Sequence, residues 1–216
     1  MLATARRADA LNTLAHSTSG LIRPMSADVT DEAGARRAVQ AAIDWTGRLD
    51  VLVNNAGVTS VQPAQDEPPE LFRRVIDVNL HGLYNYCHHA GRAMIARGSG
   101  VIINVASING LVASWTIPEA GYCASKGAVI SLTRELAAQW ASSGVRVNAL
   151  VPGYFRTEMT EDLFSSEAGQ RRLRRMPMGR GGDANELEGP LVFLASDASS
   201  YMTGQTLVVD GGWTAV

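Results

Sequence analysis

Three largely apolar stretches constrain this chain most: 49–53, 101–105 and 145–151, interrupted only at Asp50, Asn104, Arg146 and Asn148 and each followed by polar or turn-forming residues. A strand that is apolar on both faces must be covered on both, as the inner strands of a parallel sheet are. Helical spacing fills the intervals, at 8–17, 31–45, 70–97 and 121–142, and again at 184–196. Shorter strands are predicted at 21–27 and 206–209, and residues 1–4 read as the end of another. Thr30 is placed to cap the 31–45 helix. Strands alternating with helices of these lengths predict an α/β fold, a doubly wound parallel sheet with helices on both faces.

In such sheets ligands lie outside the carboxyl ends of the strands. Asp28-Val29, Asn54-Asn55-Ala56-Gly57, Ser107 and Pro152-Gly153 all fall at that edge. Fifteen residues after Ser107 comes Tyr122, followed four later by Lys126, the only lysine in the chain. On a helix that spacing puts both side chains on one face. A phenol alone titrates near ~10. A fixed ammonium beside it favours the phenolate, so Lys126 is expected to draw Tyr122 toward the working range.

The length of 216 residues predicts one domain, 1–216, with room for a core. A net charge of −2 gives no electrostatic case for nucleic acid or an anionic membrane. No apolar run reaches membrane-spanning length, and Cys87 and Cys123 make no disulfide framework, so a cytoplasmic location is expected. His88-His89 lacks partners at ligand spacing, and no metal site is predicted. The arginine run 170–175 reads as a solvated helix face. A second reading gives it, with Arg156, to an anionic substrate.

The ordered set Asp28-Val29, Asn54-Asn55-Ala56-Gly57, Val78-Asn79-Leu80, Ser107 with Tyr122 and Lys126, and Pro152-Gly153-Tyr154-Phe155-Arg156-Thr157 resembles the short-chain dehydrogenase/reductase family over the whole chain. The tail 204–212 is similar to that family too. The resemblance implies a Rossmann-like fold and hydride transfer between a nicotinamide and a ketone or secondary alcohol. Tyr122 would be the general acid/base, Lys126 would assist it and bind the nicotinamide ribose, and Ser107 would hold the substrate oxygen, with Ser114 a rival. Asn79 would hold a water that passes protons toward the lysine. Asp28 and Val29 would meet the adenine, while Asn55, Ala56 and Gly57 would bring backbone close to the adenosine ribose. Pro152, Gly153, Phe155 and Thr157 would clamp the nicotinamide. Ala5 stands where an acidic residue would select NAD, and the Arg6 that follows it suits a 2′-phosphate, so NADP is favoured, with NAD still possible. The helices at 70–97 and 121–142 resemble those that build the family's tetramers or dimers, so a homo-oligomer is implied. The closest likeness is to gluconate 5-dehydrogenases and 3-oxoacyl-carrier-protein reductases.

The family's first strand, glycine-rich loop and first helix have no counterpart in these residues. The expectation is therefore an N-terminally truncated family member, with residues 158–182 as its substrate-covering loop. A non-catalytic interaction or assembly subunit is the alternative.

Overall fold

The computed structural model describes residues 1–114 and 117–216, the side chain of Met159 aside. The chain runs β1 (Leu2–Ala5), α1 (Ala8–Ser17), β2 (Arg23–Ser26), α2 (Glu32–Thr46), β3 (Val51–Asn54), α3 (Pro69–Ile76), α4 (Leu83–Arg97) and β4 (Gly100–Val105). It continues through α5 (Ala120–Trp140), β5 (Val145–Pro152), α6 (Glu161–Ser165), α7 (Glu167–Leu173), α8 (Glu188–Ala195) and β6 (Thr206–Val209). Every strand pairing is parallel. β1 pairs with β2, and β3, β4, β5 and β6 form a separate sheet in that order. Among the described residues β1 and β3 do not pair with one another. The predicted α/β class stands, with the parallel sheet in two pieces.

The two-sided burial inferred for the inner strands follows from their alternation. Ile102 and Ile103 are both fully buried, yet they enter different cores. Ile102 joins Val147, Ala149 and Val151 under α2, α4 and α5, whereas Ile103 joins Leu150 and Leu194 of α8. Burying such side chains gives roughly 1.5–3 kcal/mol each, which holds helices against both faces. β2 tolerates Pro24 because, among the described residues, it pairs with β1 alone, leaving an edge where a missing N–H costs nothing. At the start of β5, Gly144 has φ 75° and no room for a Cβ against the Gly98 carbonyl.

Three local expectations need correction. The 31–45 helix begins at Glu32 with Asp31 in the capping position. Thr30 instead turns its amide and hydroxyl onto the Asp28 carboxylate, at 2.9 and 2.8 Å, because the turn after β2 brings that acceptor closer. The 70–97 helix is interrupted at Asp77–Gly82 by a π-helical segment, whose extra residue per turn points Asn79 into the protein. The arginine run is not wholly solvated: Arg172 is only 8% exposed, since α7 folds down onto Tyr154 and Trp213. No helix of the described residues is long and apolar enough to cross a membrane.

Candidate active site

β4 ends at Val105, and its next residues turn the chain into a short 3₁₀ helix, Ile108–Gly110. Ser107 caps that turn, its hydroxyl accepting from the Asn109 amide at 3.2 Å. The turn lies directly against α5: a Cβ on Gly110 would sit 2.7 Å from the carbonyl carbon and oxygen of Lys126. This contact fixes Ser107 relative to the first two turns of α5, where Tyr122 and Lys126 stand.

Ser107 lies close enough to the Tyr122 phenol for its hydroxyl to act on it. Burial pushes that phenol up to about 12, and the Ser107 hydroxyl only partly offsets it. Lys126 is buried at 4% exposure, and burial pulls its ammonium down to about 8. Its Nζ donates to Val105 O at 2.8 Å and lies 5.6 Å from the centre of the Tyr122 ring. The tyrosine is therefore shifted upward rather than downward as expected, because burial outweighs the pull of the ammonium at that distance. Both groups are desolvated, and the cation lies over the ring rather than at the hydroxyl.

Asn79 is fully buried and clamps the loop after β3. Its Oδ1 accepts from Val58 N at 2.8 Å, and its Nδ2 donates to Val58 O at 2.9 Å and to Ser125 Oγ at 2.9 Å. A Cβ on Gly57 would lie 3.4 Å from Asn79 Oδ1 and 3.6 Å from Lys126 Nζ, so the Asn55-Ala56-Gly57 backbone, Asn79 and Lys126 meet at one spot. The side chain of Asn79 is thus committed to holding this loop on α5.

Arg6 and Asp28, at the ends of β1 and β2, line an open cleft of about 540 Å³ with Arg73 and Arg74. The Asp28 carboxyl is held below its ordinary value by the Thr30 amide and hydroxyl, with Arg6 adding a smaller pull. Val29 packs against the π segment, where a Cβ on Gly82 would strike it. At the far end of the edge, Pro152 and Gly153 close β5 against β6, and Gly153 N donates to Val209 O. The Thr157 amide donates to Thr160 Oγ1 at 3.0 Å, and the Thr160 hydroxyl in turn donates to Phe155 O. Arg7 and Glu158 form a two-pronged pair, at 3.2 and 3.0 Å, from the end of β1 to this segment.

Sequence reasoning missed three features here. Glu119, buried just before α5, takes hydrogen bonds from Asn109 Nδ2 at 2.6 Å and Thr59 Oγ1 at 3.0 Å, and burial raises its carboxyl. Asn104 donates to Thr133 Oγ1 at 3.0 Å and accepts from Asn54 Nδ2 at 2.9 Å, beneath Ser107. Thr160 holds the 155–157 backbone. An Asn inside an apolar strand and a Thr-x-x-Thr spacing were the available signals.

Residues 2–214 match the family described as Enoyl-(Acyl carrier protein) reductase. The chain is 44% identical over 189 residues to a galactitol 2-dehydrogenase (L-tagatose-forming) of Cereibacter sphaeroides, covering 87% of this chain and 74% of that protein. It is 44% identical over 167 residues to a 2-dehydro-3-deoxy-D-gluconate 5-dehydrogenase of Bacillus subtilis, covering 77% of this chain and 65% of the relative. Among solved structures, a gluconate 5-dehydrogenase from Burkholderia cenocepacia in complex with NADP and tartrate superposes with a TM-score of 0.92 at 37% identity. That likeness covers 100% of this chain and 85% of the other. By this match from end to end, and by the order of its strands and site residues, the chain belongs to the short-chain dehydrogenase/reductase family.

Proposed function

We propose that the protein is an NADP(H)-dependent oxidoreductase that interconverts a ketone and a secondary alcohol, with Tyr122 as general acid/base. The observation that carries this reading is the convergence of Ser107 and Tyr122 above a buried Lys126. NADPH, when bound, supplies the hydride. As the carbonyl carbon becomes tetrahedral, Tyr122 gives its phenolic proton to the oxygen, and Ser107 donates a hydrogen bond to the charge developing there. The phenolate left behind is stabilised by the Lys126 ammonium and regains its proton from solvent. Burial keeps the phenol protonated at neutral pH, which suits it to donate in the reductive direction.

The residues fit a dinucleotide at the adenosine end. The cleft at Arg6 presents guanidinium groups suited to a ribose phosphate, with Asp28 and Val29 beside it for the adenine. Asn55, Ala56 and Gly57 would meet the ribose, and Lys126 the nicotinamide ribose. Pro152, Gly153, Phe155 and Thr157 would hold the nicotinamide, once Thr160 yields the backbone groups it occupies. The Burkholderia neighbour's NADP supports this choice of cofactor.

Sugar acids and oxoacyl thioesters are the substrate classes favoured by the relatives, with residues 158–182 as the covering loop of a single domain. Exposed Phe72, Tyr84 and Ile95 on α3 and α4 support a homo-oligomer of two or four chains. A cytoplasmic setting is proposed with it. A second reading, a non-catalytic interaction subunit, is favoured by one observation, the break in pairing between β1 and β3. Calorimetric titration with NADPH, beside NADH, separates the two. Selective NADPH binding supports the enzyme, and no binding to a folded chain supports the subunit.

A further inference from the structure

Arg172 lies on α7 inside the 158–182 segment, 8% exposed, with its guanidinium 5.3 Å from the Tyr154 ring centre and 5.8 Å from that of Trp213. Those ring faces offset part of the cost of burying a cation. They do nothing for its edge. Nε and Nη2 are both buried and have no hydrogen-bond partner among the described residues. These are the two nitrogens whose N–H groups run parallel along one side of the guanidinium, the fork that matches two oxygens of a carboxylate.

Glu119 is a buried acid close enough to feel the Arg172 charge. Its oxygens are taken by Asn109 and Thr59, and it forms no ion pair with Arg172 among the described residues. Around the same place Asn109 Oδ1, Ser114 Oγ and Tyr154 OH are also buried without partners among the described residues. Ser114 and Tyr154 lie close to each other without completing a hydrogen bond. Glu119 and Cys123, on the same face, also act on the Tyr122 phenol, so this group borders the proposed proton donor.

Four orphaned polar side chains in one place beside a proton donor are rare in a folded protein, where such groups are almost always satisfied. Their mixture matters. A fork of two donors asks for a planar anion, and the hydroxyls and amide oxygen ask for alcohol groups on the same molecule.

We infer that Arg172 is the carboxylate anchor of the substrate site, so that the substrate is a hydroxy acid or keto acid held by its carboxylate on the Nε–Nη2 edge. This rests on the proposed reduction at Tyr122 for its place in a reaction, though the binding itself does not. The remaining partnerless groups take the acid's hydroxyls, and α7 carries the anchor down with the covering segment. Arg156, the other sequence candidate, lies against Phe164 at 4.6 Å and is exposed, so it is left out of this role.

The test is calorimetric binding of four hydroxy acids (gluconate, tartrate, lactate and 3-hydroxybutyrate), each beside its amide, with glycerol phosphate as a phosphate probe. It is run with and without NADP⁺ on wild type, Arg172→Gln and Arg172→Lys, each checked for folding by thermal melting. At least one acid is expected to bind wild type more tightly than its amide. That preference should fall about tenfold or more in Arg172→Gln, with partial recovery in Arg172→Lys. Equal binding of acid and amide by wild type, an acid affinity unchanged in folded Arg172→Gln, or a response to phosphate alone would overturn the assignment. Nucleotide binding is read separately. Its loss with the acid preference intact would defeat the oxidoreductase reading and leave the anchor standing.

Discussion

Lys126 carries its ammonium nitrogen 5.6 Å from the centre of the Tyr122 ring and donates to Val105 O, one strand away, at 2.8 Å. The two residues are one turn apart on α5, as their spacing implied, but they are not joined head to head. Burial dominates both, holding the phenol protonated and making the ammonium easier to discharge. The pair is therefore set up as a neutral acid over a weakened cation.

A pH profile follows from these directions. Tyr122, raised to about 12, stays protonated across the working range, whereas Lys126, lowered to about 8, loses its charge within it. For the reduction, kcat/KM should be level below that point and fall above it as the ammonium deprotonates. In Lys126→Arg the falling limb should move well to higher pH, since a guanidinium keeps its charge. A profile that falls at the same pH in both proteins would contradict the assignment to Lys126.

The same burial has a stability consequence. The folded value of Lys126 is about 8 against an ordinary 10.5, so between them the unfolded chain holds a proton the folded chain lacks. Stability contributed through this group thus rises with pH across that window, and the full cost of the buried ammonium is present below it. The shift corresponds to about 3 kcal/mol, less about 1 kcal/mol for the Val105 carbonyl losing its donor. Lys126→Met should therefore be more stable than wild type at neutral pH by roughly 1–3 kcal/mol, with the gain shrinking toward pH 10. Urea denaturation at the two pH values checks this, and a less stable variant at neutral pH would refute it.

Gly110 is held by contact. A Cβ there would meet Lys126 backbone at 2.7 Å, and backbone of a buried helix cannot move aside as a flexible side chain can. Gly110→Ala should lower stability by about 1–3 kcal/mol and reduce kcat by displacing Ser107 from Tyr122. Melting curves and steady-state rates read the two effects, and a variant matching wild type in both would show that the turn can give.

Asn104 is a second buried support. Replacing it with Leu leaves Asn54 Nδ2 with only Cys87 Sγ at 3.2 Å, and strips Thr133 Oγ1 of its donor. The expected loss is about 2–4 kcal/mol, with no change in the substrate pattern. Chemical denaturation measures it, and a loss under about half a kcal/mol would mean the network is dispensable.

The sheet and its helices were legible because short, mostly apolar runs alternating with helical spacing admit few arrangements, and Tyr122, Lys126 and Ser107 were legible because helix spacing and strand ends place them. What stayed hidden depended on contacts distant in sequence. Nothing local tells that Arg172 is buried while its neighbours Arg171 and Arg174 are exposed. Nor does local sequence show that Asn79 reaches back to Val58, or that Glu119 is caught between Asn109 and Thr59. The π segment at Asp77–Gly82 escaped for the same reason: helical spacing runs through it, and only the clamp on Val58 calls for the extra residue. Thr30 misled because a capping residue and an Asx-turn partner look alike until the acceptor's position is known.

The cofactor choice rests on Arg6 opposite Asp28 at the ends of β1 and β2. Arg6→Asp should shift the NADPH-to-NADH affinity ratio toward NADH by about tenfold or more, since a carboxylate repels a phosphate and accepts from ribose hydroxyls. Titration with both nucleotides decides it, and an unchanged ratio would remove Arg6 from the site.

The most direct measurement is NADPH oxidation by the wild-type chain and by Tyr122→Phe, with keto acids and keto sugars as substrates and NADPH affinity measured alongside. Turnover by wild type is expected, and a loss of about 10²–10⁴-fold or more in Tyr122→Phe with nucleotide binding and melting temperature unchanged. Turnover at the wild-type rate in folded Tyr122→Phe would contradict the role given to that phenol.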